Sequence, residues 1–156
     1  MLQKKKLTKE QALQKIRHFA AYQERCHQEI KEKLYMFGLY SKEVDEILAL
    51  LIEENYLNEE RFAEAFAGGK FRIRQWGRIR IRYELKQKRV SDYCIRKAMQ
   101  TIPEEDYLAA LKKIAEKKWN TLSTEKSPYT KKAKAIDYLL QKGYEMELAR
   151  SVIQQL

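Results

Sequence analysis

Six apolar positions, repeated three times at one internal spacing, constrain this chain more than any other feature. Leu34, Leu39, Val44, Ile47, Leu48 and Leu51 are matched in register by Leu85, Val90, Ile95, Ala98, Met99 and Ile102. They are matched again by Leu139, Tyr144, Ala149, Val152, Ile153 and Leu156. The offset is 51 residues from Leu34 to Leu85 and 54 from Leu85 to Leu139. In each copy the last four positions fall at the three- and four-residue steps of one helix face. The slot before the second position holds Gly38, Arg89 and Gly143 in turn. A helix commonly ends there through a left-handed residue, for which glycine is the least costly choice. Arg89 departs from that, at a conformational cost. Self-similarity at such a period marks a tandem helical repeat, in which each unit buries its apolar face against its own helices and its neighbours.

Start signals divide the units further. Thr8-Lys9-Glu10-Gln11 has the form of a capping box. Ser41 and Asn58 are candidate caps, Pro103 sits at a helix start, and Ser127-Pro128 pairs a cap with a proline as first helical residue. Ala, Leu, Lys, Glu, Gln and Arg dominate, against two prolines and five glycines, which suits helix throughout. The expectation is an all-α chain of nine helices in three tandem three-helix repeats. The units are residues 1–54, with a basic N-terminal extension, a central basic unit at 55–102, and a third at 103–156. Residues 120–126 form a connector within the third.

Charge is concentrated in the central unit. The chain carries 32 Lys and Arg against 22 Asp and Glu, a formal charge of +10, which implies a polyanionic partner. Lys70, Arg72, Arg74, Arg78, Arg80, Arg82, Lys86, Lys88 and Arg89 crowd into twenty positions, with Glu84 the one acid among them. Arginine at that density suits phosphate, because its planar fork of donors matches phosphate oxygens. Lys131, Lys132 and Lys134, with Lys118, make a second basic cluster. The segment Glu43–Glu64 is acidic instead, with Arg61 its one base, and should turn away from phosphate. Charge runs are often plain solvated faces, so the arginines need a structure to give them meaning.

One local signal conflicts with the repeat. Phe71-Arg72-Ile73-Arg74 and Arg78-Ile79-Arg80-Ile81-Arg82-Tyr83 alternate with the period of a strand, and Gln75-Trp76-Gly77 could turn a hairpin. The helical reading instead sets Arg74, Arg78, Arg82 and Lys86 in one stripe, with Trp76, Ile79 and Tyr83 on another side; Trp76 and Tyr83 read as core, with stacking on bases the alternative. Three mutually consistent units outweigh one window, and helix is the expectation.

Other chemistries find little support. Cys26 and Cys94 form no CxxC motif and read as reduced thiols of a cytoplasmic protein. The charged stretch Met1–Glu10 is no secretory leader, and no apolar run is long enough to span a bilayer. Cys26, His27, His18 and Cys94 match no zinc spacing. Gly68-Gly69-Lys70 lacks the remaining positions of a phosphate-binding loop. Neither a nucleophile–base pair nor a cofactor motif is visible, so the expectation is a protein without catalytic activity, metal or cofactor.

Asn55-Tyr56-Leu57-Asn58-Glu59-Glu60-Arg61-Phe62-Ala63 resembles the G-Y-L-D-[DE]-x-R-F-A signature of the RecX regulatory proteins. Gly77-Arg78-Ile79-Arg80-Ile81-Arg82-Tyr83-Glu84-Leu85 resembles that family's G-x-x-R-I-x-x-E-L, and Gln87-Lys88-Arg89-Val90 stands where it shows Q-K-G-I. Asn55 and Arg89 replace glycines. Asparagine tolerates the left-handed conformation, so Asn55 costs little. The resemblance implies an elongated, curved molecule, monomeric and soluble. It also implies binding to RecA recombinase filaments on single-stranded DNA, with double-stranded DNA a further candidate, and suppression of RecA's ATP turnover, strand exchange and co-protease function. A nucleic-acid-binding module that acts without RecA is the alternative.

Overall fold

The computed structural model describes residues 6–156. They form nine α-helices, α1 (Lys9–Tyr22), α2 (His27–Met36), α3 (Ser41–Glu53), α4 (Glu59–Gly69), α5 (Arg78–Gln87), α6 (Asp92–Gln100), α7 (Glu104–Thr121), α8 (Pro128–Gln141) and α9 (Met146–Gln154). A π-helical turn, Lys70–Arg74, prolongs α4. No strand occurs among the described residues, and none of their helices is long and apolar enough to cross a membrane. The basic extension ahead of α1 falls largely at residues 1–5, outside the described residues.

Helix starts follow local chemistry. The Thr8 hydroxyl accepts from the Gln11 N–H at 3.2 Å, and the Gln11 side chain accepts from the Thr8 N–H at 3.0 Å, closing the expected capping box. Asn58 accepts from the Arg61 N–H at 2.8 Å, and Ser127 from the Thr130 N–H at 3.3 Å. Ser41 is a correction by one residue: it is the first helical residue, and Tyr40 is the cap, its N–H bonded to Glu43 at 3.4 Å.

The repeat is visible in the backbone. Gly38, Arg89 and Gly143 have φ of 88°, 60° and 99°, all left-handed. In each copy the next residue's N–H reaches back to the helix, Leu39 to Leu34 O, Val90 to Leu85 O and Tyr144 to Leu139 O, so the same turn closes three times. Asn55 does likewise after α3, with φ 65°. All eighteen repeat positions are buried except Leu48, which is half-buried, and Leu156, which is exposed.

Packing breaks the symmetry that the sequence suggests. Helices α1–α3 enclose a core of their own around Ile16, Ile30, Leu34, Ile47 and Leu51. Helices α4–α9 share one continuous core, from Phe62 through Ile81 and Leu111 to Ile153, and Cys26 at the start of α2 joins it. Arg61 ties the two together. Its guanidinium pairs with Glu24 and donates to the Asn55 side chain at 3.2 Å and the Asn55 carbonyl at 3.1 Å. The residues of the Asn55–Ala63 stretch are thus joint and cap, with Leu57, Phe62 and Ala63 buried. The molecule exposes 10541 Å², where a compact monomer of this size exposes about 8300 Å². That excess fits an extended arrangement.

The seam between the second and third units is built on backbone contact. The start of α5 abuts the α8–α9 turn, where Gly77 N–H donates to Lys142 O at 2.7 Å and Ile79 N–H to Gly143 O at 2.9 Å. The Arg78 N–H between them donates to the Tyr107 hydroxyl at 3.1 Å. Three N–H groups that a helix start leaves unpaired are therefore met by another unit. Beneath them Phe71, Tyr107 and Tyr144 stack with centroids 5.9 and 5.3 Å apart. The Tyr144 hydroxyl donates to Gln75 O at 3.1 Å.

A Cβ on Gly77 would lie 2.4 Å from the Gly143 carbonyl, an overlap that only backbone movement relieves. Gly77→Ala should therefore cost about 3 kcal/mol. Gly69 is helical with nothing within 4 Å of a Cβ, so Gly69→Ala should stabilise by about 0.5–1 kcal/mol. Urea unfolding of the two variants checks the pair. Burial pushes the Tyr107 and Tyr144 hydroxyls above the ordinary phenol range. The neutral forms are favoured in the folded state, so this stability is complete below about pH 10 and is lost as pH rises beyond it. The urea midpoint should fall in alkali, and less steeply in Tyr144→Phe.

Candidate nucleic-acid interface

The strand-like alternation reports no sheet. Phe71 is buried while Ile73 is 80% exposed, because a helical turn sets residues two apart on nearly opposite sides, where a strand would set them on one face. The turn closes when the Gln75 and Trp76 N–H groups both reach Lys70 O. Gln75 is left-handed, with φ 61°. The chain then restarts as α5. Arg74 and Arg78 therefore lie on different elements, and the single stripe expected through Arg74, Arg78, Arg82 and Lys86 is broken.

Helix α5 presents two apolar faces. Ile81 and Leu85 are buried, while Ile79 and Tyr83 are exposed, which corrects the expectation that Tyr83 is core. At 100° per residue, Arg82 and Lys86 flank this outer stripe on one side and Arg80 on the other. Arg80 leans over Trp76, its guanidinium carbon 4.2 Å from the ring centroid, and donates to Gln141 O at 3.4 Å. Trp76 is half-buried and packs edge-on to Phe66 at 6.3 Å. Lys70 lies 5.1 Å from the Trp76 centroid, and Lys88 5.8 Å from that of Phe66. The result is a pair of part-exposed aromatic rings ringed by cations.

The cations differ in what they touch. Lys70, Arg72, Arg74, Arg80, Arg82 and Arg89 make no ion pair among the described residues. Arg72 folds back so that its guanidinium nitrogens lie 2.8–2.9 Å from where a Cβ of Gly68 would be. Lys86 and Lys88 stand 4.0 Å from Asp92 and Glu29, long enough to leave both largely available. In the second cluster Lys134 pairs with Glu125 at 2.6 Å, Lys131 covers the Trp119 ring at 4.0 Å, and Lys132 is exposed.

Arg78 is placed otherwise than a surface contact would need. Its side chain is 17% exposed, pairs with Glu145 at 2.9 Å and with Glu104, and lies 3.7 Å over the Tyr107 ring. Tyr107 in turn donates to Glu145. Arg78 is thus held between the units, satisfied by two carboxylates. Sequence spacing could not reveal this, since both partners are far along the chain.

The acidic segment explains why the arginines stay uncompensated. Glu43, Glu46 and Glu54 are engaged by Lys6, Lys9 and Arg17, all in or just before α1. Glu46 is held below the usual carboxylate range, chiefly by its hydrogen bond from Lys9. These three acids are drawn towards α1 and serve as counter-ions to none of the central cations.

Two family models match the chain: RecX, second three-helix domain, over residues 58–99, and RecX, third three-helix domain, over residues 104–153. The regulatory protein RecX of Clostridium perfringens is 32% identical over 133 residues, covering 85% of this chain and 62% of that protein. That of Chlorobaculum tepidum is 32% identical over 125 residues, covering 80% of this chain and 75% of that protein. The chain thus spans about 62% of the length of the Clostridium perfringens relatives. The crystal structure of RecX from Lactobacillus salivarius superposes with a TM-score of 0.85 at 23% identity, over 95% of this chain and 96% of that one.

The two kinds of arginine should separate by mutation. Arg78→Ala leaves Glu145 and the Tyr107 ring without their cation in a half-buried seam, and should cost about 2–4 kcal/mol. Arg82→Ala removes an exposed side chain with no ion pair and should stay within about 0.5 kcal/mol of the parent. Equal losses in urea unfolding would contradict this division.

Proposed function

This chain belongs to the RecX family of regulatory proteins, and from that premise we propose that it binds the RecA–single-stranded DNA filament and restrains RecA. Inhibition of ATP turnover, strand exchange and co-protease activity is the form that restraint takes. The observation that carries the reading is the set of central cations without carboxylate partners, Lys70, Arg72, Arg74, Arg80, Arg82 and Arg89, gathered on one unit of an extended molecule. A fixed patch of guanidinium groups suits phosphates and acidic side chains. The exposed Ile79 and Tyr83 beside it would give a protein partner an apolar foothold. Arg78, although part of the same sequence run, holds the scaffold and makes no contact with the filament.

Binding to nucleic acid without RecA is the second reading. The Phe66–Trp76 pair supports it, since half-exposed aromatics among cations suit bases stacked along a single strand. The two readings differ in where affinity comes from. The first expects the chain to bind filament more tightly than naked DNA at matched salt, and the second expects no such gain.

Titrating the protein into RecA on single-stranded DNA should slow ATP hydrolysis progressively. Arg72→Glu combined with Arg82→Glu should weaken that effect while leaving helical content unchanged. Unaltered turnover at saturating protein would refute the first reading.

A further inference from the structure

The Arg74–Gly77 turn and the third unit enclose a cationic pocket that the arginine run did not foretell. Gln75 from the turn, Lys113, Ile114, Lys117, Lys118 and Thr121 from α7, and Tyr138 from α8 line a cavity of about 370 Å³. Lys142, just past the end of α8, stands near its Tyr138 wall. Its ammonium donates to Arg74 O at 3.2 Å and lies 6.0 Å from the Tyr138 ring centroid. Lys118 approaches the same ring at 4.7 Å. Three lysines of α7 therefore line the cavity, and Lys142 lies beside its Tyr138 wall as a fourth. None of the four makes an ion pair among the described residues. The acids nearest in sequence, Glu116 and Asp137, make no ion pair with any of them.

Gathering like charges without counter-ions opposes folding. One tyrosine ring offsets only part of that repulsion. The geometry also fixes Lys142, whose amine is held by a backbone carbonyl on the far side of the seam. A site of this kind is suited to an anion that bridges several ammonium groups. Gln75 lines it, one residue beyond Arg74, so the pocket follows directly on the run of central cations.

We propose that this seam pocket binds the phosphodiester backbone of a single strand of DNA, so that the strand runs from the arginines of the second unit onto Lys142, Lys117, Lys118 and Lys113 of the third. The inference rests on the reading that the chain engages single-stranded DNA. It adds a second binding unit and a direction across the seam. Tyr138 contributes its ring as a wall, and the lysines supply the charge.

The test is binding of the full chain to a labelled oligothymidylate, without RecA, over a range of salt. In Lys113→Gln/Lys117→Gln, two exposed positions, affinity should fall at low salt. The slope of log affinity against log salt should shrink by about 0.7 for each phosphate that is no longer neutralised. Adding Lys118→Gln should deepen both effects, with the thermal melt unchanged for the double variant. On a strand with uncharged methylphosphonate linkages, parent and variants should bind alike. Parental affinity and slope in these variants, while Arg72→Glu/Arg82→Glu loses both, would overturn the pocket and leave the central interface standing. Displacement by thymidine monophosphate as effective as by the strand, per phosphate, would overturn the strand path in favour of an isolated phosphate site. No binding by the parent at low salt would overturn the pocket together with the DNA reading on which it rests.

Discussion

The start of α5, set into the α8–α9 turn, is the contact on which the rest of the basic surface depends. Gly77 and Gly143 bring two backbones so close that neither accepts a side-chain carbon without a clash. The Gly77 and Ile79 N–H groups are satisfied by carbonyls of the third unit, and that of Arg78 by Tyr107. A helix end buried without partners is costly. Here the partners are main-chain carbonyls and one buried phenol, which fix α5 against α7–α9 in one orientation. Every cation on α5 inherits its position from that contact.

The seam also sorts the charge. Arg78 lies at the junction and is neutralised by Glu104 and Glu145. Arg80, two residues further on, lies over Trp76 instead. Arg82 is two positions beyond that and meets solvent. Three arginines spaced two residues apart thus have three roles, because a helix turns them about 200° at each step. Lys142 follows the same logic from the other side: it precedes Gly143, so the close approach that the glycine permits also carries its amine to the Arg74 carbonyl.

Two cores lie under one threefold pattern. Units two and three share an apolar interior and a stacked trio of aromatic rings. Unit one joins them through the Arg61 clamp, the buried Cys26 and polar contacts such as Lys88 with Glu29. Burial raises the Cys26 thiol to about 11, so it remains a packed thiol at neutral pH.

Much was legible in the residues themselves. The six-position pattern located the buried faces, Thr8, Asn58 and Ser127 announced their helices, and the slots at Gly38, Arg89 and Gly143 proved left-handed even where an arginine fills one of them. These are local matters: period, capping and backbone conformation depend on a few neighbours in sequence. The Phe71–Arg74 alternation is rightly set aside for helix, which turns residues two apart to opposite sides, and Tyr83 proved exposed because α5 has apolar residues on both sides. Which arginines are free was decided only in three dimensions. A guanidinium is neutralised by whichever carboxylate lies within a few ångströms, and Arg78 finds Glu104 and Glu145 from 26 and 67 residues away. The sequence alone determined an all-helical chain with a basic centre. Tertiary packing decided that α4–α9 share one core, and that lysines of α7 face Gln75 across a cavity, because contact across a fold is set by close packing and not by spacing along the chain.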